Sequence, residues 1–189
     1  MVSGLAVRSQ EISPGNHTLK ENEMSIFPTK ILLATDGSED AKLAASASIE
    51  LAQKTGSELH VVHARLMLPW TGYSAENPTS SPADAREARE LVDRWLDAQV
   101  KWIEAEGGEV ARAHLRLGRP DEKIITVAEE IVSLAEEIGA GLIAIGSRGL
   151  GGIRRALMGS VSDSVVRHAH CPVLVVRKEG RSDQDMMLA

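Results

Sequence analysis

The sequence predicts an α/β fold in which a parallel sheet is covered by helices on both faces. Short apolar runs alternate with longer segments that repeat apolar residues at helical spacing, an order typical of strands joined by helical crossovers. Aromatic residues make up only 3% of the 189 residues, so the core must consist of Val, Ile, Leu and Ala. That composition suits a buried parallel sheet, and the length suits one domain with tails.

The first half of the chain contains two predicted strands and one predicted helix. An apolar run at residues 31–34 ends in a turn, and Ser38 is the expected N-cap of the helix that follows. Small apolar residues on one stripe of that helix would let it lie close to the sheet, and Gly56 would end it. Residues 59–64 form the second strand, and the Pro-, Gly- and Ser-rich stretch 65–82 predicts a long surface loop.

The second half continues the alternation and ends on a strand. Predicted there are a helix at residues 83–105, a strand at 110–117, a helix at 121–138, a strand at 142–145, a helix at 160–169 and a strand at 173–176. Trp95 and Trp102 lie on one stripe of the first of these helices and are interpreted as core packing. Polar composition predicts a disordered N-terminal tail at residues 1–28 and a C-terminal tail at 179–189, flanking a folded domain at 29–178.

Charge and cysteine content limit the possible functions. A net charge of −6 disfavours binding to nucleic acid phosphates. Cys171 is the only cysteine, which fits a reducing compartment, and we interpret it as a packing residue. Neither a membrane-length apolar run nor a secretory leader is found, so a cytoplasmic location without membrane association is expected.

The segment that indicates chemistry is the glycine-rich stretch 146–160, which lies between the fourth strand and the last helix. Glycines allow positive φ and a close approach of the main chain to a ligand, so several N–H groups could converge on phosphate oxygens. Ser160 stands at a helix N-terminus, where free N–H groups and the macrodipole favour an anion. Ser162 would add a hydroxyl donor and Arg148 a positive charge. A Walker A loop is excluded, because no Lys-Ser/Thr pair follows the second glycine.

The spacing Gly146-x2-Gly149-x9-Gly159-Ser160 resembles the ATP-binding motif G-x2-G-x9-G-(S/T) of the UspA-like universal stress protein family. Three further segments are similar to that family, at residues 30–38, 62–64 and 170–176, so the likeness covers about residues 30–177. Two positions depart from the family pattern, because Ala34 stands where proline is often found and Gly141 where an acidic residue is common. Neither departure touches the glycine motif.

The resemblance implies a five-stranded sheet of order 3-2-1-4-5, adenine nucleotide alpha-hydrolase-like and Rossmann-like. It implies that ATP binds with Mg²⁺ or Mn²⁺ held mainly by the phosphates, and that the chain forms a homodimer through its last strand. The residues implied at the adenine and ribose end are Ala34, Asp36, Ala64 and Ile145. Those implied at the ribose and phosphates are Gly146, Arg148, Gly149, Gly159, Ser160, Val161 and Ser162.

Simpler interpretations exist for several of these residues. The glycine-rich stretch could be a flexible connection without a ligand, and Asp36 could be a turn residue that bonds its own backbone. Arg148 could be a solvated loop charge. His63, at the end of an apolar strand, is more readily explained as a satisfied core or edge histidine than as a catalyst. Asp163, just beyond the motif, is expected to cap the last helix.

The function expected is that of an ATP-binding regulatory or stress-response protein, in which nucleotide biases the dimer state or the binding of an unidentified protein partner. The alternatives are a slow ATP hydrolase and an interaction module that binds no nucleotide. The complete glycine motif argues against the module. No Glu, Asp or His lies within residues 146–162 to activate water, so no catalytic residue is assigned and at most slow ATP turnover is expected.

Overall fold

The computed structural model describes residues 25–66, 73–74, 77–78, 82–118, 127–150 and 158–178. Helices and strands alternate through this part of the chain. In order they are β1 Lys30–Ala34, α1 Glu39–Thr55, β2 Glu58–Leu66, β3 Tyr73–Ser74, β4 Asn77–Pro78, α2 Pro82–Ala105, β5 Val110–Gly118, α3 Val127–Ile138, β6 Ala140–Gly146, α4 Ser160–His168 and β7 Val173–Val176.

Five of these strands form one sheet in the order β5-β2-β1-β6-β7, and every neighbouring pair is parallel. Counted along the chain, this is the order 3-2-1-4-5, so the predicted fold class is confirmed. The order reverses between β1 and β6, and the connections that leave these two strands diverge at their carboxyl ends. Such a switch point leaves a crevice where ligands bind in open α/β sheets.

The central strand explains why the apolar runs do not alternate with polar residues. Ile31, Leu32 and Leu33 are consecutive and fully buried, because helices cover both faces of the sheet. Leu32 faces the core built with α3 and α4, whereas Ile31 and Leu33 face the core built with α1 and α2. A strand places successive side chains on opposite faces, so one apolar run contributes to both cores.

Helix α1 has the boundaries that its sequence predicts. The Ser38 Oγ accepts a hydrogen bond from the Ala41 N–H at 3.2 Å, which makes Ser38 the N-cap. Gly56 ends the helix in the left-handed region with φ 67°, a conformation that favours glycine. Ala44, Ala45 and Ser48 are buried against the sheet, as the small-residue stripe predicts.

The predicted surface loop at 65–82 is shorter than expected at both ends. Strand β2 continues to Leu66 because the edge strand β5 pairs with it as far as Gly118. Helix α2 begins at Pro82, since proline fits the first turn of a helix, where no N–H is needed. Within the interval, β3 and β4 form a two-stranded antiparallel pair of their own.

Some sequence predictions concern residues outside the described part of the chain. These are most of the predicted N-terminal tail, the C-terminal tail from residue 179, and the first turns of the helix predicted at 121–138. Just before β1, Phe27 packs against the core built with α1 and α2. In the described ranges, none of the helices has both the length and the apolar composition that crossing a bilayer requires.

Candidate functional site

A cavity of about 850 Å³ opens at the carboxyl ends of β1, β2 and β6, at the switch point of the sheet. This volume falls within the range of small-molecule pockets. Its walls come from the ends of the three strands, from one face of α2, from the start of α3, and from the loop and first turn that lead into α4. The cavity therefore lies where the strand order predicts a ligand site.

Ten of the eleven residues predicted to contact a nucleotide line this cavity: Ala34, Asp36, Ala64, Ile145, Gly146, Gly149, Gly159, Ser160, Val161 and Ser162. Arg148 is not among the lining residues. Its main-chain carbonyl accepts a hydrogen bond from the Ser38 Oγ at 3.1 Å. Within the described residues, its Nε is buried without a hydrogen-bond partner.

Asp36 connects the two loops that meet at the switch point. Its Oδ1 accepts a hydrogen bond from the Ser38 N–H at 3.0 Å, which closes the turn after β1. Its Oδ2 accepts one from the Leu150 N–H at 2.9 Å, in the loop after β6. The turn role considered from sequence is therefore present, together with a contact across the crevice that sequence reasoning did not foresee.

The start of the loop after β6 is held by α1 and β7. The Ser147 Oγ donates to Asp40 Oδ2 at 2.7 Å, and the Ser147 N–H donates to the carbonyl of Val176 at 2.6 Å. Ser147 is buried, so both contacts are shielded from water. The other carboxylate oxygen of Asp40 accepts from the Lys178 N–H at 3.3 Å. One carboxylate thus joins the loop, the helix and the end of the last strand.

Two described glycines of the motif, Gly146 and Gly149, are needed for close packing, whereas a Cβ on Gly159 would meet only ordinary contacts. Positive φ and a close approach to a ligand were the reasons predicted for these glycines, and the prediction of positive φ is wrong. Gly146, Gly149 and Gly159 all lie outside the left-handed region. A Cβ on Gly146 would lie 2.7 Å from the main-chain N of Ala41, and one on Gly149 would lie 2.4 Å from Asp36 Oδ2. Such distances are too short for real Cβ contacts. The first glycine lets β6 end against α1, and the second lets the loop approach Asp36.

The first turn of α4 presents main-chain N–H groups at the cavity. Gly159 is its N-cap, and no side chain caps the helix there. The Gly159 N–H donates to the Ser147 carbonyl at 2.7 Å, whereas the N–H groups of the next three residues have no acceptor inside an α-helix. The buried Ser162 Oγ lies 2.8 Å from the Ser147 carbonyl oxygen, so its hydroxyl holds the loop. The Ser162 hydroxyl, predicted to donate to a ligand, is thus used within the chain, and the Ser162 main-chain N–H is the group left for a ligand.

Asp163 does not cap α4, contrary to the sequence prediction. Its Oδ2 accepts a hydrogen bond from the Arg167 Nε at 2.8 Å, one helical turn further on. That hydrogen bond holds the pKa of Asp163 below its usual value. The carboxylate is therefore paired along the exposed side of the helix.

His63 and Trp95 form an aromatic pair in the cavity wall. Their ring centroids lie 4.2 Å apart with an interplanar angle of 44°. The His63 Nδ1 lies 2.8 Å from the Thr35 carbonyl oxygen, which can only accept, so Nδ1 carries the proton. In the neutral ring, Nε2 is then the hydrogen-bond acceptor. Trp95 also lies close to the turn after β1: a Cβ placed on Gly37 would be 2.9 Å from the Trp95 Cζ2.

Sequence reasoning missed most of the wall formed by helices. Trp95 was interpreted as core packing alone, although it packs against the core and also lines the cavity. Leu91, one turn earlier on α2, lines the cavity and is 56% exposed, and Ile131 of α3 lines it as well. For His63, the sequence did offer a signal: the residue directly precedes Ala64, which was predicted to contact the nucleotide. Among the described residues, no group of three or more His, Cys, Asp or Glu side chains is arranged to hold a metal ion.

Comparison with known proteins identifies the family. The profile of the universal stress protein family matches residues 28–177. A universal stress protein of Methanocaldococcus jannaschii is 33% identical over 151 residues, which cover 79% of this chain and 82% of that protein.

Solved structures that share the fold include the following two. Hypothetical protein MJ0577, whose biochemical function was assigned from its structure, has a TM-score of 0.62 and 26% identity, over 82% of this chain and 99% of that one. A universal stress family protein of Burkholderia pseudomallei has a TM-score of 0.53 and 33% identity, over 80% of this chain and 97% of that one. With its profile match, its sequence relative and its five-stranded parallel sheet, the chain belongs to the universal stress protein family.

Proposed function

We propose that this chain binds ATP in the switch-point cavity and acts as a nucleotide-dependent regulatory protein. The observation that supports this most strongly is the combination of the complete glycine motif with an uncapped helix N-terminus at the cavity. The phosphates would lie at the first turn of α4, and the adenine and ribose at the ends of β1 and β2. Nucleotide occupancy would then bias dimerisation or partner binding.

The phosphate end is argued from hydrogen-bond donors. The main-chain N–H groups of Ser160, Val161 and Ser162 have no acceptor inside the helix, and the helix macrodipole adds partial positive charge there. Two acids of this region have hydrogen-bond partners elsewhere, since Asp163 is paired with Arg167 and both Asp36 oxygens accept from other main-chain N–H groups. An anion with several oxygens fits such a site.

The base end is argued from small and apolar side chains. Ala34, Ala64 and Ile145 line the cavity at three neighbouring strand ends, on the sheet face that carries α3 and α4. Small side chains at Ala34 and Ala64 leave room for a planar ring against the strand ends. Mg²⁺ or Mn²⁺ would be held mainly by phosphate oxygens, as is usual for Mg²⁺ bound with nucleotides.

The competing function is slow ATP hydrolysis, which is supported by the position of His63 in the cavity wall. His63 lines the cavity with Nε2 as its acceptor nitrogen, so a ring able to accept a proton stands in the wall. Hydrolysis would also need charge neutralisation at the γ-phosphate and an oriented water. Main-chain donors stabilise bound phosphate before the transition state as well as in it, which lowers the dissociation constant without raising turnover. Binding is therefore the stronger proposal.

Homodimerisation through β7 is part of the same proposal. Residues Val173–Val176 form an edge of the sheet and are only partly buried in the single chain. An apolar edge strand tends to pair with another strand unless it is covered. Light scattering should give a dimer mass, and a monomer mass over a wide concentration range would contradict this part of the proposal.

The test of ATP binding uses the full chain in two measurements. Mass spectrometry of ligand released from the denatured purified protein should detect an adenine nucleotide. Calorimetry with millimolar ATP and Mg²⁺, after removal of that ligand, should show saturable heat. No released nucleotide, no heat and no thermal shift together would refute binding. Phosphate release at a typical enzymatic rate, on the order of 1–10³ s⁻¹, would favour the hydrolase instead.

A further inference from the structure

A pair of histidines joins the edge strand β5 to β2, away from the candidate nucleotide site. The His60 Nδ1 lies 3.1 Å from the His114 Nε2, and the two rings stack with centroids 5.4 Å apart and an interplanar angle of 15°. The other ring nitrogen of His60, Nε2, lies 3.3 Å from a carboxylate oxygen of Glu58. His60 is 7% exposed, so its ring is shielded from water, whereas the Glu58 side chain is 61% exposed.

The protonation state of this pair follows from its contacts. A carboxylate only accepts hydrogen bonds, so the His60 Nε2 carries a proton for Glu58 and the neutral ring leaves Nδ1 as an acceptor. The His114 Nε2–H then donates to that nitrogen. One extra proton on either ring is compatible with the bond, because one of the two facing nitrogens can still accept. Two extra protons break the bond, because the His60 Nδ1 and the His114 Nε2 then both carry hydrogen and both rings are cationic.

The charged groups around the pair come from every element packed against it. Arg112 and Arg116 flank His114 on β5, and Arg116 pairs with Glu137 of α3. Glu130 lies on the same helical stripe as Glu137, seven residues earlier. From β1, the Lys30 Nζ donates to the Ile138 carbonyl at 2.9 Å at the end of α3. The two arginines oppose a further positive charge on His114.

We propose that His60 and His114 form a proton-sensitive contact that holds the edge strand on the sheet and is lost when both rings are protonated. The contact lies outside the cavity and does not depend on nucleotide binding. Its consequence is a loss of stability in mild acid, centred on β5 and on the end of α3 that pairs with it. Loss of the contact would loosen the pairing of β5 with β2, while the strands β1 and β6 that flank the cavity stay paired.

The direction of the pH effect follows from His114. Burial, and then the neighbouring His60 and the two arginines, hold the pKa of His114 below its usual value of 6.5, while Glu137 opposes them. As the pH falls through 6.5, the unfolded chain therefore binds this proton before the folded chain does. The free energy of unfolding therefore falls as the pH drops below 6.5, and it stops falling for this reason below the folded-state pKa of His114.

The test compares urea unfolding at pH 7.5 and pH 5.5 for the wild type and His114→Gln. Glutamine keeps a neutral donor for His60 but cannot take up a proton. The midpoint of the wild type should fall further on acidification than that of the variant, by roughly 0.5 M urea. The matched control is His168→Gln, at an exposed histidine of α4, which should behave as the wild type does. Equal falls in the wild type and His114→Gln would overturn the proposal.

A second measurement decides the question even if His114→Gln fails to fold. Nitrogen-15 NMR of the imidazoles in the wild-type chain reports tautomer and protonation directly. His60 should carry its proton on Nε2 at neutral pH, and His114 should titrate below 6.5. Titration of His114 should also shift the signals of the His60 ring. A His60 proton on Nδ1 at neutral pH, or titration of His114 that leaves the His60 signals unchanged, would overturn the proposal.

Discussion

Helices α1 and α4 both begin beyond the carboxyl ends of the strands, at the switch point of the sheet, yet their N-termini are built differently. Helix α1 starts at Ser38, whose side chain accepts from the Ala41 N–H, and two acidic residues follow in the first turn. Helix α4 starts at Gly159, which has no side chain to offer. The positive end of α1 is therefore satisfied by the chain itself, whereas that of α4 is left for another acceptor.

The residue at the N-cap therefore determines which of these two helix N-termini, α1 or α4, has main-chain N–H groups free to bind an anion. The strand order brings both ends to one crevice, so topology alone does not choose between them. At α1 the internal cap also orders the chain, because the Ser38 hydroxyl reaches the Arg148 carbonyl of the opposite loop. One helix end thus supports the loop, and the other is available to a ligand. Four substitutions test this division, given from the largest expected effect to the smallest.

Gly149→Val should abolish ATP binding and leave the fold intact. A Cβ at this position would meet Asp36 Oδ2 at 2.4 Å, so either the loop or the Asp36 carboxylate must shift, and the hydrogen bond from the Leu150 N–H to Asp36 is disturbed. We expect a loss of affinity of about 100-fold or more, or roughly 3 kcal/mol. Calorimetry measures binding, and circular dichroism checks the fold. A folded variant that binds ATP as the wild type does would show that this loop is not the site.

Ser160→Asp should weaken ATP binding about tenfold, or roughly 1.4 kcal/mol, without destabilising the helix. The new carboxylate would repel phosphate, yet a negative charge at a helix N-terminus stabilises it by about 0.3–1 kcal/mol. The matched control is Ser164→Asp, which adds the same charge one turn later and should change affinity less. Equal effects of the two substitutions would mean that the phosphates do not lie at the first turn.

Ser38→Ala should destabilise the fold by about 1 kcal/mol, because the Ala41 N–H loses its cap. ATP affinity should fall only slightly, since α1 would not contact the phosphates. The control is Ser46→Ala, which removes an exposed hydroxyl of the same helix and should be nearly neutral. Urea unfolding measures both variants. A large loss of affinity with unchanged stability would mean that Ser38 contacts the nucleotide.

Asp163→Asn should have the smallest effect. The pair with Arg167 is exposed, so the free energy of unfolding should hardly change. Because Arg167 lowers the folded-state pKa of Asp163 below 3.8, the pair contributes above that pH and is lost as the pH falls through the folded-state value. Removing a negative charge near α4 should raise ATP affinity slightly. Weaker ATP binding would indicate that Asp163 helps to hold the cation.

Sequence patterns predicted the fold well, because short apolar runs and small-residue stripes directly determine buried strands and closely packed helices. Ser38 and Gly56 were identifiable as caps for the same reason, since capping depends on local chain geometry. The boundary of β2 was wrong, because pairing with β5 extends it through Leu66, and such pairing joins residues far apart in sequence.

The motif residues predicted to contact a nucleotide line one cavity, apart from Arg148, but the physical reasons for their residue types were not foreseen. The need for Gly146 arises from the backbone of α1 and that for Gly149 from Asp36, more than a hundred residues earlier in the chain. The cavity wall from α2 was missed because Trp95 serves the core and the cavity together. A periodic apolar stripe does not distinguish a side chain that fills a core from one that borders an opening.

The position of Trp95 gives the molecule an intrinsic fluorescent probe. Its indole touches the ring of His63 in the cavity wall and approaches Gly37, beside Asp36, whereas Trp102 packs against the core. Indole emission depends on local polarity and on quenching by a nearby imidazole. A ligand that enters the cavity would therefore change the emission of Trp95 more than that of Trp102. Binding can then be followed in the unlabelled protein, and Trp95→Phe supplies the blank.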